Sequence, residues 1–254
     1  MSNRSVLVAL RVLEEIAAHQ PIGVSDLARL LAISKTTAHR ALLTLAEGGW
    51  IEASGDRRAL WRLSVRALSV GGRAVDSQGG LRGVAVPVME DLRRSTEETI
   101  HLLVRDRTHV VLIERLDGIR AVRVFNPVGG RASIFRTSAG KAMLGKATAD
   151  ELAELMGILR SRAELGAQDP DSFLAELGEV RKRGFAINLG SNQPDVHAVA
   201  AAIVGANGGA VAAVTVSAPP ERLDAETCER IGPLVVDAAR RISVGLRAST
   251  GATS

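Results

Sequence analysis

The sequence contains no tyrosine, and aromatic residues make up only 2% of its 254 positions. A platform that stacks single-stranded nucleic-acid bases on aromatic rings is therefore excluded. One cysteine, Cys228, leaves no internal disulfide and suits a reducing cytoplasm. No apolar run approaches the ~20 residues a membrane span needs. Arg11, Glu14 and Glu15 interrupt the segment where the apolar core of a signal peptide would lie. The expectation is a cytoplasmic protein without membrane contact. Lysine is scarce too: of 32 basic residues, only Lys35, Lys141, Lys146 and Lys182 are not arginine. Arginine does not deprotonate, which lifts the isoelectric point to about 9.9 although the formal net charge is only +4. Such a charge permits nucleic-acid binding without requiring it.

Catalytic signatures are missing as well. The sequence has no G-x-S-x-G elbow, no Walker loop, no G-x-G-x-x-G after a strand and no H-E-x-x-H. The glycine-rich run 205–209 lies between two strand-like segments and reads as a hairpin turn. Cys228 falls in a long terminal helical pattern and reads as a small core residue. His19 stands at a helix end. His101, His109 and His197 fall on strands, but their spacing is no ligand signature. Neither a metal nor a cofactor is expected, and no residue is assigned as catalytic.

What is present is concentrated in residues 34–49. Ser34 is a good helix N-cap, since its hydroxyl can accept from an unpaired first-turn N–H, and Gly48 and Gly49 can end the helix. Ala38, Ala41, Leu42 and Leu45 form one apolar stripe at helical spacing. The opposite side carries Lys35, Thr36, Thr37, His39, Arg40 and Thr44, with no carboxylate before Glu47. A solvated surface helix usually alternates acids with bases. This one presents donors and small side chains, as a helix entering the DNA major groove must; the plain alternative is a surface helix poor in acid by chance.

The neighbouring segments favour DNA. A leading helix spans 3–18. A second helix, Leu27 to Leu31, is capped by Ser25-Asp26 and joined to Ser34 by a tight link, which is the helix-turn-helix order. Strands 50–53 and 59–63 then form a hairpin. Its tip carries Arg57 and Arg58, placed as a wing's phosphate or minor-groove contacts would be. Helical patterns over 65–75 and 81–95 follow. Beyond Thr99 the period becomes strand-like: 99–104 and 110–115 read as a hairpin and 121–125 as a third strand. Further on come helices at 141–144, 149–156 and 170–183, a strand at 185–188, a hairpin from 197–204 and 210–217, and a last helix from 225 to 246. The expected organisation is a DNA-binding domain over 1–66, a helical linker over 67–80, an α+β domain with an antiparallel sheet over 81–248, and a tail over 249–254.

With both halves placed, the chain resembles the IclR family of bacterial transcriptional regulators over almost its whole length. The resemblance is carried by Ser5 to Leu13, Leu27-Ala28, Ser34 to Leu42 and Gly49-Trp50-Ile51. In the second half it is carried by Glu98 to Leu102, Thr137 to Ala142, Arg183 to Ala186 and Val211 to Ser217. It implies a winged helix-turn-helix joined to a GAF-like effector-binding domain. It also implies a homodimer, often paired into a tetramer, on a palindromic operator of double-stranded DNA, with small organic acids, aromatic ones among them, as effectors. Two departures stand out. The acidic run expected after 185–187 is Asn188-Leu189-Gly190-Ser191-Asn192, and the expected Gly-Val-x-Cys is Asp195-Val196-His197-Ala198. Losing carboxylates near a pocket lowers the cost of binding an anion.

Candidate effector contacts follow by position. Ser138, Ala139 and Gly140 open a helix whose first-turn N–H groups favour a carboxylate; alternatively Gly140 only permits close helix–sheet packing. Thr215 and Ser217 alternate on one strand and so share a face. Asn188 and Ala198 enter through the resemblance alone. The working reading is a DNA-binding regulator, a repressor rather than an activator, whose operator affinity responds to a small organic acid. Two alternatives stand beside it: a DNA-binding domain fused to a small-molecule enzyme, and a constitutive DNA-binding dimer with no effector.

Overall fold

The computed structural model describes residues 3–54, 60–76, 80–162 and 169–251. The chain divides into two compact units, Met1–Ser77 and Gln78–Ser254.

The first unit is built around a small apolar core. Helix α1, Arg4–His19, begins at Asn3, whose side chain accepts from the Ser5 and Val6 amides. Strand β1, Ile22–Gly23, leads into α2, Val24–Leu30, and α3 spans Lys35–Glu47. Strands β2, Ile51–Ser54, and β3, Leu60–Leu63, precede α4, Val65–Asp76. Val12 and Ile16 from α1 meet Leu27, Leu31, Leu42, Leu45 and Ile51. Each such side chain, fully buried, contributes on the order of 1.5–3 kcal/mol. The stripe expected on α3 is the buried one: Ala38, Ala41, Leu42 and Leu45 all face the core.

Two local expectations need correction here. Helix α2 starts before Ser25-Asp26, at Val24, with Gly23 as its N-cap and no side chain capping it; Asp26 sits inside the first turn, paired with Arg29 at 2.6 Å. The hairpin also gains a third strand, giving the order β1-β3-β2, because Ile22 and Gly23 pair with Trp61 and Leu60. Two residues are too few to leave a period-2 signal.

The second unit opens with α5, Leu81–Thr96. Strands β4, Thr99–Asp106, β5, His109–Leu116, and β6, Arg131–Ser133, follow. Helices α6, Ser138–Leu144, α7, Ala149–Arg162, and α8, Pro170–Arg183, come next. Strands β7, Ala186–Leu189, β8, His197–Val204, and β9, Ala210–Ala218, lead to α9, Ala225–Gly251. The six strands form one antiparallel sheet in the order β6-β5-β4-β9-β8-β7. Successive side chains point to opposite faces, and both faces are covered. Ile100, Leu102, Val199, Val214 and Val216 pack against α5 and α9, through residues such as Met89, Val235 and Ile242. Ala200 and Ala213 face Phe135, Leu144 and Phe173 from the α6–α8 side, where the Phe135 and Phe173 rings meet edge-on at 5.9 Å. The architecture is thus α+β, with helices on both faces of the sheet.

The segment 121–125 is not a strand. Only Val124 is buried in it, while Val122 and Phe125 are exposed. The strand that pairs along the outer edge of β5 is β6, at His109 to Val111. The segment's alternation is instead absorbed by irregular contacts: the Arg115 guanidinium stacks on Phe125 at 3.9 Å and pairs with Asp117 at 2.6 Å. The last helix also continues to Gly251, past the expected end at 246.

Candidate nucleic-acid interface and ligand cavity

On α3 the cap forms as the sequence demands. Ser34 Oγ accepts from the Thr37 amide at 3.1 Å and lies 2.8 Å from Thr37 Oγ1. The Thr44 hydroxyl donates back to the Arg40 carbonyl at 3.1 Å. These groups are therefore partly committed to the helix itself. Lys35, Thr36, His39 and Arg40 are exposed, one turn apart in the pairs 35/39 and 36/40. Among the described residues, no ion pair or hydrogen bond engages the side chains of Lys35, His39 or Arg40. Other cations of this unit are used: Arg62 pairs with Glu52 across β2 and β3, and Arg66 donates to the Gly48 carbonyl and lies over the Trp50 ring. Arg66 thus braces the C-terminal end of α3 while the cations on its outward face stay available. Arg57 and Arg58 lie outside the described residues.

In the second unit, a cavity of about 290 Å³ opens on the α6 side of the sheet. Of the seven residues proposed from the sequence, six line it: Ser138, Ala139, Asn188, Ala198, Thr215 and Ser217. They come from four separate elements: α6, β7, β8 and β9. The shared face of Thr215 and Ser217 is the one turned to the cavity. Ala198 pairs with both Asn188 and Ser217 in register, which places the three side by side across β7, β8 and β9.

Gly140 is different. It does not line the cavity, and a Cβ there would fall inside the Ile134 carbonyl. Close packing, the alternative noted from the sequence, explains this glycine. The N-cap of α6 is Thr137, whose hydroxyl oxygen accepts from the Gly140 amide at 3.1 Å. Asn188 lines the cavity with both ends of its amide engaged: Nδ2 donates to the Arg136 carbonyl at 3.1 Å and Oδ1 accepts from the Ser191 amide at 2.8 Å. It fixes the 190–196 turn, which supplies Asn192, Gln193 and Val196 to the wall. The two segments that depart from the resemblance are therefore both part of this cavity.

The sequence reading missed the role of His101. It is buried on β4, opposite Thr215 of β9 in register. A hydrogen bond of 3.1 Å joins its Nδ1 to Ser217 Oγ. Its Nε2 and the Thr215 Oγ1 are both buried without a hydrogen-bond partner. Burial, with the Arg115 charge adding to it, pushes the imidazole down to about 4 despite the opposing Asp117, so the ring is neutral near pH 7. His109 lies at the other end of the β4–β5 hairpin, paired with Asp106. The third strand histidine, His197, lies 2.8 Å from the Leu223 carbonyl through its Nδ1. Among the described residues no group of three or more His, Cys, Asp or Glu is placed to hold a metal ion. Among the described residues that line the cavity there is no Asp or Glu; Arg131 borders it on the edge strand, where the alternation that turns Ala132 to the cavity turns the Arg131 side chain the other way, to Asp106 at 2.8 Å. Such a lining can hold an uncharged or anionic polar molecule without repelling it.

Known proteins agree with this division. The family described as "IclR helix-turn-helix domain" matches residues 5–55, and "Bacterial transcriptional regulator IclR C-terminal" matches residues 73–244. The transcriptional regulator BhcR of Paracoccus denitrificans is 28% identical over 240 residues, covering 94% of this chain and 85% of its own. The transcriptional repressor AllR of Escherichia coli is 28% identical over 226 residues, covering 88% of this chain and 83% of its own. Among solved structures, an IclR homolog from Microbacterium hydrocarbonoxydans complexed with 4-hydroxybenzoate is 24% identical. It has a TM-score of 0.74, with 96% of this chain and 99% of that chain covered. The second unit matches a family of regulators rather than of enzymes, and among the described residues no helix is long and apolar enough to cross a membrane. With both family matches in the order the fold requires, the chain belongs to the IclR family of DNA-binding transcriptional regulators.

Proposed function

We propose that the chain is a ligand-responsive repressor, in which a small organic acid bound in the cavity of the second unit alters operator affinity. The observation that carries the ligand part is the pair of buried, unpartnered polar atoms, His101 Nε2 and Thr215 Oγ1, on one cavity wall. Leaving such groups unpaired costs on the order of 1–3 kcal/mol each, and a polar ligand recovers that cost. The absence of any carboxylate side chain among the described residues of the wall favours an acid. The antiparallel sheet with helices on both faces supports the GAF-like description of this unit. The 4-hydroxybenzoate bound by the Microbacterium homolog makes aromatic acids members of the class to test, and the name of AllR supports repression.

On the DNA side, Lys35, Thr36, His39 and Arg40 are the base-reading candidates. Ser34, Thr37 and Thr44 shape that face, and Arg57 and Arg58 are assigned to phosphates. Each recognition helix needs its own half-site, so a palindromic operator calls for a homodimer. The exposed apolar residues Val6, Leu7 and Leu10 on α1 are suited to its interface; a dimer of dimers is the further step. The ligand acts only through its differential affinity for the operator-bound and free states.

The test is binding to the DNA upstream of the protein's own gene, with and without a panel of aliphatic and aromatic acids. Specific binding that shifts with one acid supports the reading. Specific binding that no acid alters favours a constitutive DNA-binding dimer.

A further inference from the structure

Helix α3 turns one large apolar side chain outward. Leu43 is 51% exposed and is not among the core side chains of the first unit. With 3.6 residues per turn, it points roughly 160° away from the buried Leu45. It stands in the row Thr36, Arg40, Leu43, Glu47, all exposed and each one turn from the next. A single exposed leucine is ordinary on a protein surface. This one differs in its setting, because every other exposed side chain of α3 is polar or charged.

The polar groups around it divide in use. Thr37 is bonded to the Ser34 cap, and Thr44 donates to the Arg40 carbonyl. Lys35, Thr36, His39 and Arg40 remain to meet hydrogen-bonding base edges. The C5 methyl group of thymine offers no hydrogen bond and is read only by apolar contact. Leu43 is the largest apolar surface on the face and stands at its middle. Glu47, one turn further, is the first carboxylate and is repelled by phosphates, so groove contact is left to Thr36 through Leu43. Along the helix Leu43 lies ~4.5 Å beyond Arg40, and bases stack ~3.4 Å apart, so the two residues reach neighbouring base pairs. We propose that Leu43 is a specificity-determining residue that packs on the methyl group of a thymine, about one or two base pairs from the one Arg40 reads. Contact removes both apolar groups from water. The inference rests on the reading of α3 as the base-contacting helix and adds an apolar determinant to its polar set.

The test uses the full chain and the duplex that it enriches from a random-sequence pool. Each thymine of that duplex is replaced in turn by deoxyuridine, which keeps every hydrogen-bonding group and lacks only the methyl. Affinities are measured for wild type, Leu43→Ala, Leu43→Gln and Arg40→Ala. At one thymine of the half-site, loss of the methyl should weaken wild type about fourfold, the worth of burying one such group. Alanine is too short to reach the methyl and glutamine is polar, so in both Leu43 variants the ratio should fall to one. Leu43 is exposed, and alanine and glutamine are both good helix formers; thermal unfolding checks that the fold is retained. Arg40→Ala should keep the ratio while relaxing preference at a neighbouring base pair. The inference is overturned if no thymine shows methyl dependence, or if the dependence survives both Leu43 variants. It is overturned equally if Arg40→Ala abolishes the dependence as the Leu43 variants do. In each case the reading of α3 still stands if Arg40→Ala relaxes sequence preference. If no α3 variant changes sequence preference, or the pool yields no preferred sequence, the reading and the inference fail together.

Discussion

His101 and Thr215 are register partners across β4 and β9, and each keeps one buried polar atom without a hydrogen-bond partner. Two such atoms on adjacent strands, both in residues lining one cavity, carry a desolvation cost that a polar ligand bound there, as proposed, would relieve.

The first consequence concerns stability without ligand. Thr215→Val removes a buried hydroxyl that bonds to nothing in the protein, so apo stability should hold or rise by up to about 1 kcal/mol. Ser217→Ala, which deprives His101 Nδ1 of its partner, should instead cost about 1 kcal/mol. Denaturant midpoints of the two variants test the contrast, and a marked loss in Thr215→Val would mean that its hydroxyl is satisfied within the protein.

The second concerns pH. His101 binds its proton more weakly folded than unfolded, at about 4 against 6.5. The unfolded chain therefore takes up the proton first as pH falls. The stability contributed by the neutral ring is complete above the unfolded value and is lost progressively between 6.5 and about 4. By about pH 5 wild type should have lost about 2 kcal/mol more than His101→Gln, relative to about pH 7.5. Parallel stability curves for the two proteins would show that the ring titrates normally.

A third prediction tests the packing of α6. Gly140→Ala places a methyl group inside the Ile134 carbonyl, backbone against backbone, with no flexible side chain to yield. A destabilisation of about 2–4 kcal/mol is expected, the range of severe overpacking. Unfolding by denaturant measures it, and a change within about 0.5 kcal/mol would mean that α6 sits farther from the sheet.

The fourth separates shape from reading on α3. Ser34→Ala removes the cap to the Thr37 amide and should cost about 1 kcal/mol of stability. Arg40→Ala touches no partner and should leave stability within about 0.5 kcal/mol, while losing ~1–3 kcal/mol of discrimination at one operator position. Arg57→Ala should weaken all sequences alike and reduce the salt slope by about 0.9. An Arg40→Ala protein with unchanged sequence preference would remove this residue from the base-reading set.

Local periodicity carried the helices and most strands. The stripe Ala38, Ala41, Leu42 and Leu45 could be read directly because four apolar residues on one helix face have no other place to go. The run Val122, Val124, Phe125 misled, because alternation only proposes a strand and a ladder partner is needed to make one; the outer edge of β5 pairs instead with β6, at His109 to Val111. The cavity was half legible. Thr215 and Ser217 followed from alternation, whereas His101 did not, because its importance lies in a pairing 114 residues away in sequence and in an atom left without a partner. Asn188 was found, but its amide holds the 190–196 turn, a role that depends on the Arg136 carbonyl arriving from another element.

The central claim is that the cavity and the operator are energetically coupled, and the direct measurement is reciprocal. The operator dissociation constant is measured with and without a saturating acid from the panel, and the acid's dissociation constant with and without operator. Linkage requires the two ratios to be equal. The account predicts equal ratios, of about 5–150-fold, that fall toward one in Thr215→Val while its operator affinity in the absence of acid is retained. An acid that binds the cavity yet leaves operator affinity unchanged would contradict it.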